Sequence, residues 1–184
     1  MQTEELLRQC CQNNRQAQEA FYKLHYEPLM RVTMLYFTGN NECLEVLNTA
    51  FFKIFRNLHQ WRNDGPLEAW MRRIVVNTCM NQLTAKRQPV FTPINELAEQ
   101  YMDHPAPALK MEYEELLRMA RSLPPATRAV FLLYAVEGYQ HREIATALNI
   151  SENTSKWHFA DARKKLQQMI ALQGESRPVK KRAS

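Results

Sequence analysis

The sequence predicts an all-α protein: two small helical domains joined by a proline-containing linker, the C-terminal one a helix-turn-helix. Three observations carry this. Apolar residues recur at helical spacing through most of the 184 residues, with no convincing period-two alternation. Glycine is rare, at four, which argues against a turn-rich β fold. The stretch "QPVFTPINELAEQYMDHPAPA", residues 88–108, holds Pro89, Pro93, Pro105 and Pro107, three acids and no Lys or Arg. Prolines at that density interrupt helices and stiffen an extended chain. Residues 1–88 are thus expected as a front domain and 89–108 as a linker. Residues 109–172 are expected as a rear domain, and 173–184 as a basic, disordered tail.

In the front domain the first helix should start near Thr3, a suitable N-cap, with Glu4 and Glu5 favoured by the helix dipole. A second should cover about Gln16 to Phe37 and end near Gly39, with Pro28 kinking or splitting it. A third should run from Glu42 to His59, where Val46, Leu47, Ala50, Phe51, Ile54, Phe55 and Leu58 form one apolar stripe. "RNDGP" is a loop, and Pro66 suits the first turn of a fourth helix that reaches Ala85. The rear domain reads as four helices. "LPPATRAVFLLYAVEG" starts one at its prolines and stops it at Gly138. "YQHREIATALN" is short and ends at Asn149, which tolerates the left-handed conformation. Ser151 then caps the last helix.

Composition bounds the function. The chain is 45% hydrophobic and 23% charged, with net charge +5, so an anionic partner suits it. Cys10, Cys11, Cys43 and Cys79 form no CxxC pair, which reads as reduced thiols. The five histidines are scattered, so neither metal nor cofactor is expected. The polar, acidic start "MQTEELLRQC" is not a signal peptide, and no apolar run reaches about 18 residues; a cytoplasmic, non-membrane protein is expected. No Gly-rich phosphate loop or nucleophile–base arrangement stands out, so no enzyme is expected.

The distribution of charge says more than its total. From Ala69 to Asn95 there is no Asp or Glu, but Arg72, Arg73, Lys86 and Arg87 are present. From Asn153 onward eight basic residues face only Asp161 and Glu175. Trp61, Trp70 and Trp157 lie in or beside these basic stretches, and cations interleaved with aromatic rings suit nucleic acid.

The two helices joined at "LNIS" have the helix-turn-helix pattern. Ile144, Ala145 and Leu148 mark one buried face; Ser155, Phe159, Ala162, Leu166 and Met169 mark the other. At about 100° per residue, Trp157 lies about 170° from the centre of that second face. Asn153, Ala160 and Lys164 share its side, flanked by Lys156 and Arg163, a face for the major groove or, in the blander reading, a surface helix with one exposed Trp or a Trp that docks another protein. In "NLHQWRNDGPLEAWMRRIVVNTCMNQLTAKRQ", a loop carries Trp61 and Arg62, and the next helix carries Trp70, Arg72, Arg73, Asn77 and Asn81. Asn amides offer donor and acceptor to a base edge and Trp offers a stacking platform, which fits an unpaired base. The competing reading makes Trp61 and Trp70 core, and core is the expectation for Trp70. The third helix carries Glu45, Asn48, Thr49 and Lys53 beside Phe52, either a docking face or a solvated strip.

"FFKIFRNLHQW…LEAWMRRIVVNTCMNQL" resembles the second conserved region of extracytoplasmic-function RNA polymerase sigma factors. "LPPATRAVFLLYAVEGYQHREIATALNISENTSKWHFADARKKL" resembles their fourth. The order of the two motifs, the proline-bearing linker and the chain length also match. The resemblance implies a bacterial transcription initiation factor that directs core polymerase to promoters and assists their opening. It implies minus-thirty-five recognition by Asn153, Thr154, Lys156, Trp157, Ala160, Asp161, Arg163 and Lys164. Trp61, Arg62, Arg72, Arg73, Asn77 and Asn81 would serve the minus-ten element, with a flipped base at Trp61, Arg62, Arg73 and Asn77. Glu45, Asn48, Thr49 and Phe52 would dock the β′ clamp. Implied partners are core polymerase (β′ clamp and β flap), promoter DNA, and an anti-sigma factor, often membrane-tethered in that family. The linker would thread toward the polymerase cleft. The sequence departs from the family pattern at Cys43, Leu44 and Thr49, at Gln140 in place of a Ser cap, and at Ser155. Asp161 stands where a basic residue is common, and there a carboxylate would accept from a cytosine amino group. The rival reading is a conventional helix-turn-helix regulator that binds duplex DNA without polymerase. A further rival is a protein-interaction adaptor whose tryptophans dock partners.

Overall fold

The computed structural model describes residues 2–62, 65–85 and 113–175. The backbone divides into two compact units, Met1–Arg87 and Gln88–Ser184. Among the described residues there is helix but no strand. No helix among them is long and apolar enough to cross a membrane. The expected linker, residues 89–108, lies outside the described residues, as do residues 176–184 of the tail.

The first unit has four helices: α1 (Gln2–Cys11), α2 (Arg15–Tyr36), α3 (Asn40–Asn57) and α4 (Leu67–Ala85). A 3-10 turn, Leu58–Gln60, follows α3. Since α1 begins at Gln2, Thr3 lies within its first turn and is not the cap. Asn13 takes φ 60°, a left-handed conformation that its short polar side chain tolerates, and so separates α1 from α2. Asn14 caps α2, its Oδ1 accepting from the Ala17 N–H at 3.1 Å. The helix runs unbroken through Pro28, which is exposed, so the expected split does not occur. Pro66 precedes α4, and its carbonyl accepts from the Ala69 and Trp70 N–H groups at 3.1 and 3.3 Å.

Helices α2, α3 and α4 pack on one another, and α1 lies against α2 and the 3-10 turn. Their shared core is Phe21, Tyr36, Leu47, Ile54, Met71, Val75 and Val76, all nearly inaccessible. Each large apolar side chain buried this way contributes about 1.5–3 kcal/mol. The expected α3 stripe is buried at Val46, Leu47, Ala50, Phe51, Ile54 and Leu58, with Phe55 half-buried. The Tyr22 and Phe51 rings meet at a tilt of 44° with 4.4 Å between centroids, joining α2 to α3. Cys10, Cys43 and Cys79 are buried and Cys11 is exposed.

The second unit contains α5 (Tyr113–Ala120), α6 (Pro125–Phe131), α7 (His141–Leu148) and α8 (Glu152–Glu175). Pro125 opens α6, where its missing N–H costs nothing. A π turn, Leu132–Val136, continues α6 and ends at Gly138, whose φ of +75° is open to glycine. Helix α8 reaches Glu175, so the first three residues of the expected disordered tail have helical backbone. Helices α5, α6 and α7 all pack on α8. The core here is Val130, Leu132, Leu133, Ile144, Leu148, Ala162 and Leu166.

Candidate nucleic-acid interfaces

The turn between α7 and α8 is built as the sequence requires. Asn149 ends α7 at φ 53°, ψ 51°, and the Ile150 N–H reaches back to the Ala145 carbonyl at 3.0 Å. The Ser151 hydroxyl then accepts from the Thr154 N–H at 2.9 Å and caps α8. At the start of α7, Gln140 replaces a serine cap. The Glu143 carboxylate accepts from the Gln140 N–H at 2.8 Å, so this end of the helix is satisfied from within. Ile144, Ala145 and Leu148 are buried against α8, on which Ser155, Ala162 and Leu166 are buried in turn. His141 Nδ1 lies 2.9 Å from Ser155 Oγ, tying the two helices together with a polar contact.

Of the residues expected to face DNA on α8, Asn153, Lys156 and Lys164 are exposed, and Trp157, Ala160 and Arg163 are half-buried. The Trp157 ring meets the His158 ring edge-on at 5.0 Å. The Arg163 guanidinium lies 6.0 Å from the Phe159 ring centroid. Lys156 pairs with Glu152 at 2.8 Å.

Two of the residues expected at the DNA are engaged within the unit. Thr154 is buried at 8% exposure and its hydroxyl is engaged with Ser151 Oγ at 2.8 Å, so it belongs to the turn's packing. The Asp161 side chain is only 17% exposed. Its Oδ2 accepts from Thr127 Oγ1 on α6 at 3.1 Å and from Lys165 Nζ at 2.6 Å. One oxygen of that carboxylate is thus bound to partners within the unit.

Periodicity alone did not find His158. It is buried, and its Nδ1 lies 3.1 Å from Thr127 Oγ1. Because the Thr127 hydroxyl proton goes to Asp161, His158 Nδ1 is the donor in that contact. Burial pushes its pKa below the ordinary histidine value, against the opposing pull of Asp161.

In the first unit the nominated residues fall on one loop and one helix. The Trp61 N–H donates to the Leu58 carbonyl at 3.2 Å, closing the 3-10 turn and setting Trp61 half-buried beside an exposed Arg62. On α4, Arg73, Asn77 and Asn81 are exposed at four-residue intervals, which puts them on one strip. Arg72 is half-buried, and Trp70, expected as core, is half-buried too. Lys53 Nζ of α3 donates to Thr78 Oγ1 of α4 at 3.2 Å and pins the two helices together.

On α3, Glu45, Asn48, Thr49 and Phe52 are all exposed. Phe52 is 68% exposed, unusual for so large an apolar side chain. Asn48 Oδ1 accepts from the Tyr22 hydroxyl at 3.1 Å.

Comparison with known proteins places both halves. Residues 21–88 match the profile described as Sigma-70 region 2, and residues 113–166 match that of Sigma-70, region 4. The chain belongs to the sigma-70 family. The "ECF RNA polymerase sigma factor SigM" of Mycobacterium tuberculosis is 24% identical over 169 residues, 90% of this chain and 83% of that protein. The "ECF RNA polymerase sigma-E factor" of Escherichia coli K12 is 29% identical over 138 residues, 68% of this chain and 72% of that protein. The corresponding factor of Haemophilus influenzae is 27% identical over 146 residues, 73% of this chain and 77% of that protein. A sigma-70 protein of the extracytoplasmic-function type is thus similar to this chain across both units. Helix α1 lies outside the two matched segments.

Proposed function

We propose that this protein, a sigma factor, directs core RNA polymerase to a specific set of promoters and helps to open them, by binding alone and without chemistry of its own. Its place of action is then the cytoplasm. The observation that carries the reading is the pairing of two matched regions, each with an exposed cationic strip, in one chain.

The second unit serves the minus-thirty-five element. Lys156, Lys164 and Arg163 meet phosphates and set position, while Asn153, Trp157 and Ala160 meet base edges. The first unit serves the minus-ten element. Trp61 and Arg62, with Arg73, Asn77 and Asn81 on α4, hold an unstacked base; trapping it offsets a few kcal/mol of lost stacking. Phe52, with Glu45, Asn48 and Thr49, docks the β′ clamp: an exposed ring inside a polar strip is the arrangement expected of an interface anchor. An anti-sigma protein covering these same strips would silence the factor.

The test mixes the protein with core polymerase and a genomic promoter library and sequences the run-off transcripts. Promoter-dependent starts are the expected result. Absence of any such start at salt below physiological, combined with tight sequence-specific duplex binding by the protein alone, identifies a conventional regulator instead. Asn77→Ala should cut open-complex formation by about tenfold to a hundredfold, as expected for one lost base contact, and leave core binding intact. Loss of core binding in that variant removes Asn77 from the base-holding strip.

A further inference from the structure

Resting on the reading just given, we propose that the second unit selects thymine through its 5-methyl group, with Trp157 and Ala160 as the readers and Asp161 as the residue that positions them. Three observations lead there. The only carboxylate among the residues nominated on α8 is occupied: Asp161 Oδ2 accepts from both Thr127 and Lys165, and its side chain is 17% exposed. The charged acceptor that would best suit a cytosine amino group is therefore engaged within the unit. The surface left at the centre of the strip is apolar, an indole and a methyl group, with Lys156 and Lys164 exposed on either side. Apolar side chains in the major groove recognise the thymine methyl, the one apolar group that a base pair presents there.

The third observation explains why Trp157 and Ala160 occupy that place. The hydrogen-bonded series His158 Nδ1, Thr127 Oγ1, Asp161 Oδ2 and Lys165 Nζ joins α6 to α8 over contacts of 3.1, 3.1 and 2.6 Å. Thr127 is buried at 2% exposure and His158 at 6%, so this series is anchored inside the unit. Directional bonds on one side of a helix fix its roll. With 158 and 161 held inward, residues 157 and 160, each one residue away and so turned by about 100°, are set toward the outside. Asp161 acts through this roll and touches no base.

The experiment uses the holoenzyme, protein plus core polymerase, on a promoter obtained by selection from a random library. Each thymine of the minus-thirty-five element is replaced in turn by deoxyuridine, which removes only the methyl. Holoenzyme affinity should fall by about fourfold, the worth of one buried methyl, at one or two adjacent positions. A 5-methylcytosine·guanine pair at those positions should recover part of the loss against plain cytosine. Trp157→Ala or Ala160→Gly should erase the deoxyuridine effect at its own position and leave the other. Asp161→Ala should shrink the effect at both, and Asp161→Asn, which keeps an oxygen for Thr127, should restore it. Promoter-bound holoenzyme indifferent to every methyl overturns the proposal. So does Asp161→Ala abolishing preference for a single cytosine·guanine pair, which makes Asp161 a base reader. If the library yields no bound promoter at all, the sigma reading itself fails, and this proposal with it.

Discussion

On α4, Arg73, Asn77 and Asn81 stand exposed above a side that is apolar almost throughout, with Leu67, Met71, Val75, Val76, Cys79, Met80 and Leu83 buried. On α8 the buried side is Thr154, Ser155, His158, Ala162 and Leu166, three of them hydrogen-bonding side chains and a fourth group, Asp161, largely covered. Dispersion and burial are weakly directional, so an apolar seat tolerates small rotations of a helix. Hydrogen bonds have a preferred angle and weaken steeply away from it. The difference suits the two tasks proposed for these helices. A helix that holds one unpaired base can let that base adjust to it. A helix inserted into the groove of a duplex must arrive with its roll already set.

The largest effect separating the two seats is expected from core truncation. Ile54 and Ile144 are both fully buried, one in each unit. Ile54→Ala and Ile144→Ala should each cost about 2–5 kcal/mol of unfolding free energy, read from urea titration. Ile144→Ala should also lower promoter affinity more than Ile54→Ala does, because it loosens the turn that presents α8. Equal losses of promoter affinity would show that the rear seat has no special role.

Next comes Thr127→Val, which keeps shape and removes the hydroxyl at the centre of the polar series. It strands a partner on His158 and on Asp161 in a buried place, so a loss of about 1–3 kcal/mol is expected. The matching change in the first unit is Thr78→Val, where Lys53 is the partner that loses its acceptor. Lys53 is half-buried and can turn to water, so the loss should be smaller. Thr78→Val costing as much as Thr127→Val contradicts the distinction between the seats.

Acid should affect both units in the same direction. Burial holds the pKa of His25 in α2 and of His158 in α8 below the ordinary value, despite nearby Glu68 and Asp161 respectively. In the unfolded chain both titrate near pH ~6.5. Below that pH the unfolded state binds more protons than the folded one, so acidification favours unfolding. The stabilising effect of the neutral rings is complete above pH ~6.5 and is lost progressively as pH falls through and below it. Urea midpoints measured from pH ~7.5 down to ~5.5 should therefore decline. His158→Gln should remove the rear share of that slope and leave the share due to His25. A flat profile would mean that neither ring is desolvated.

Much of the architecture was legible because helix signals here are local. Asn149 in the left-handed conformation, the Ser151 cap, the stop at Gly138 and the α3 stripe all follow from one residue's backbone freedom or from a short apolar repeat. The exposed strip on α4 was legible for the same reason: the spacing of Arg73, Asn77 and Asn81 is itself the signal. Less legible were the places where a boundary side chain is drawn inward by a partner or left part-exposed by its place on the helix. Asp161 looks outward by charge, yet Thr127, thirty-four residues earlier, offers it a hydroxyl. Thr154 looks like a surface residue beside Asn153, yet the Ser151 cap draws it in. Trp70 was expected in the core because its neighbours are apolar, but its position on α4 leaves it half-buried. Helical spacing assigns a face; it does not say which polar groups on the boundary will be satisfied from inside.

The smallest effect on the fold, and the one that best isolates DNA contact, belongs to Lys156→Ala. Lys156 and Glu152 form an exposed pair one helical turn apart, with side chains 56% and 47% accessible. Such pairs are screened by water and salt, so the urea midpoint should not move measurably. Promoter affinity should still fall, because a lysine on a phosphate contributes through the counterions it displaces. The signature is a reduction of about one in the slope of log affinity against log salt concentration, uniform across promoter sequences. An unchanged slope removes Lys156 from the phosphate contacts. A loss confined to promoters carrying one particular base makes it a base reader, and α8 would then have to sit about 100° further round in the groove than its internal hydrogen bonds allow.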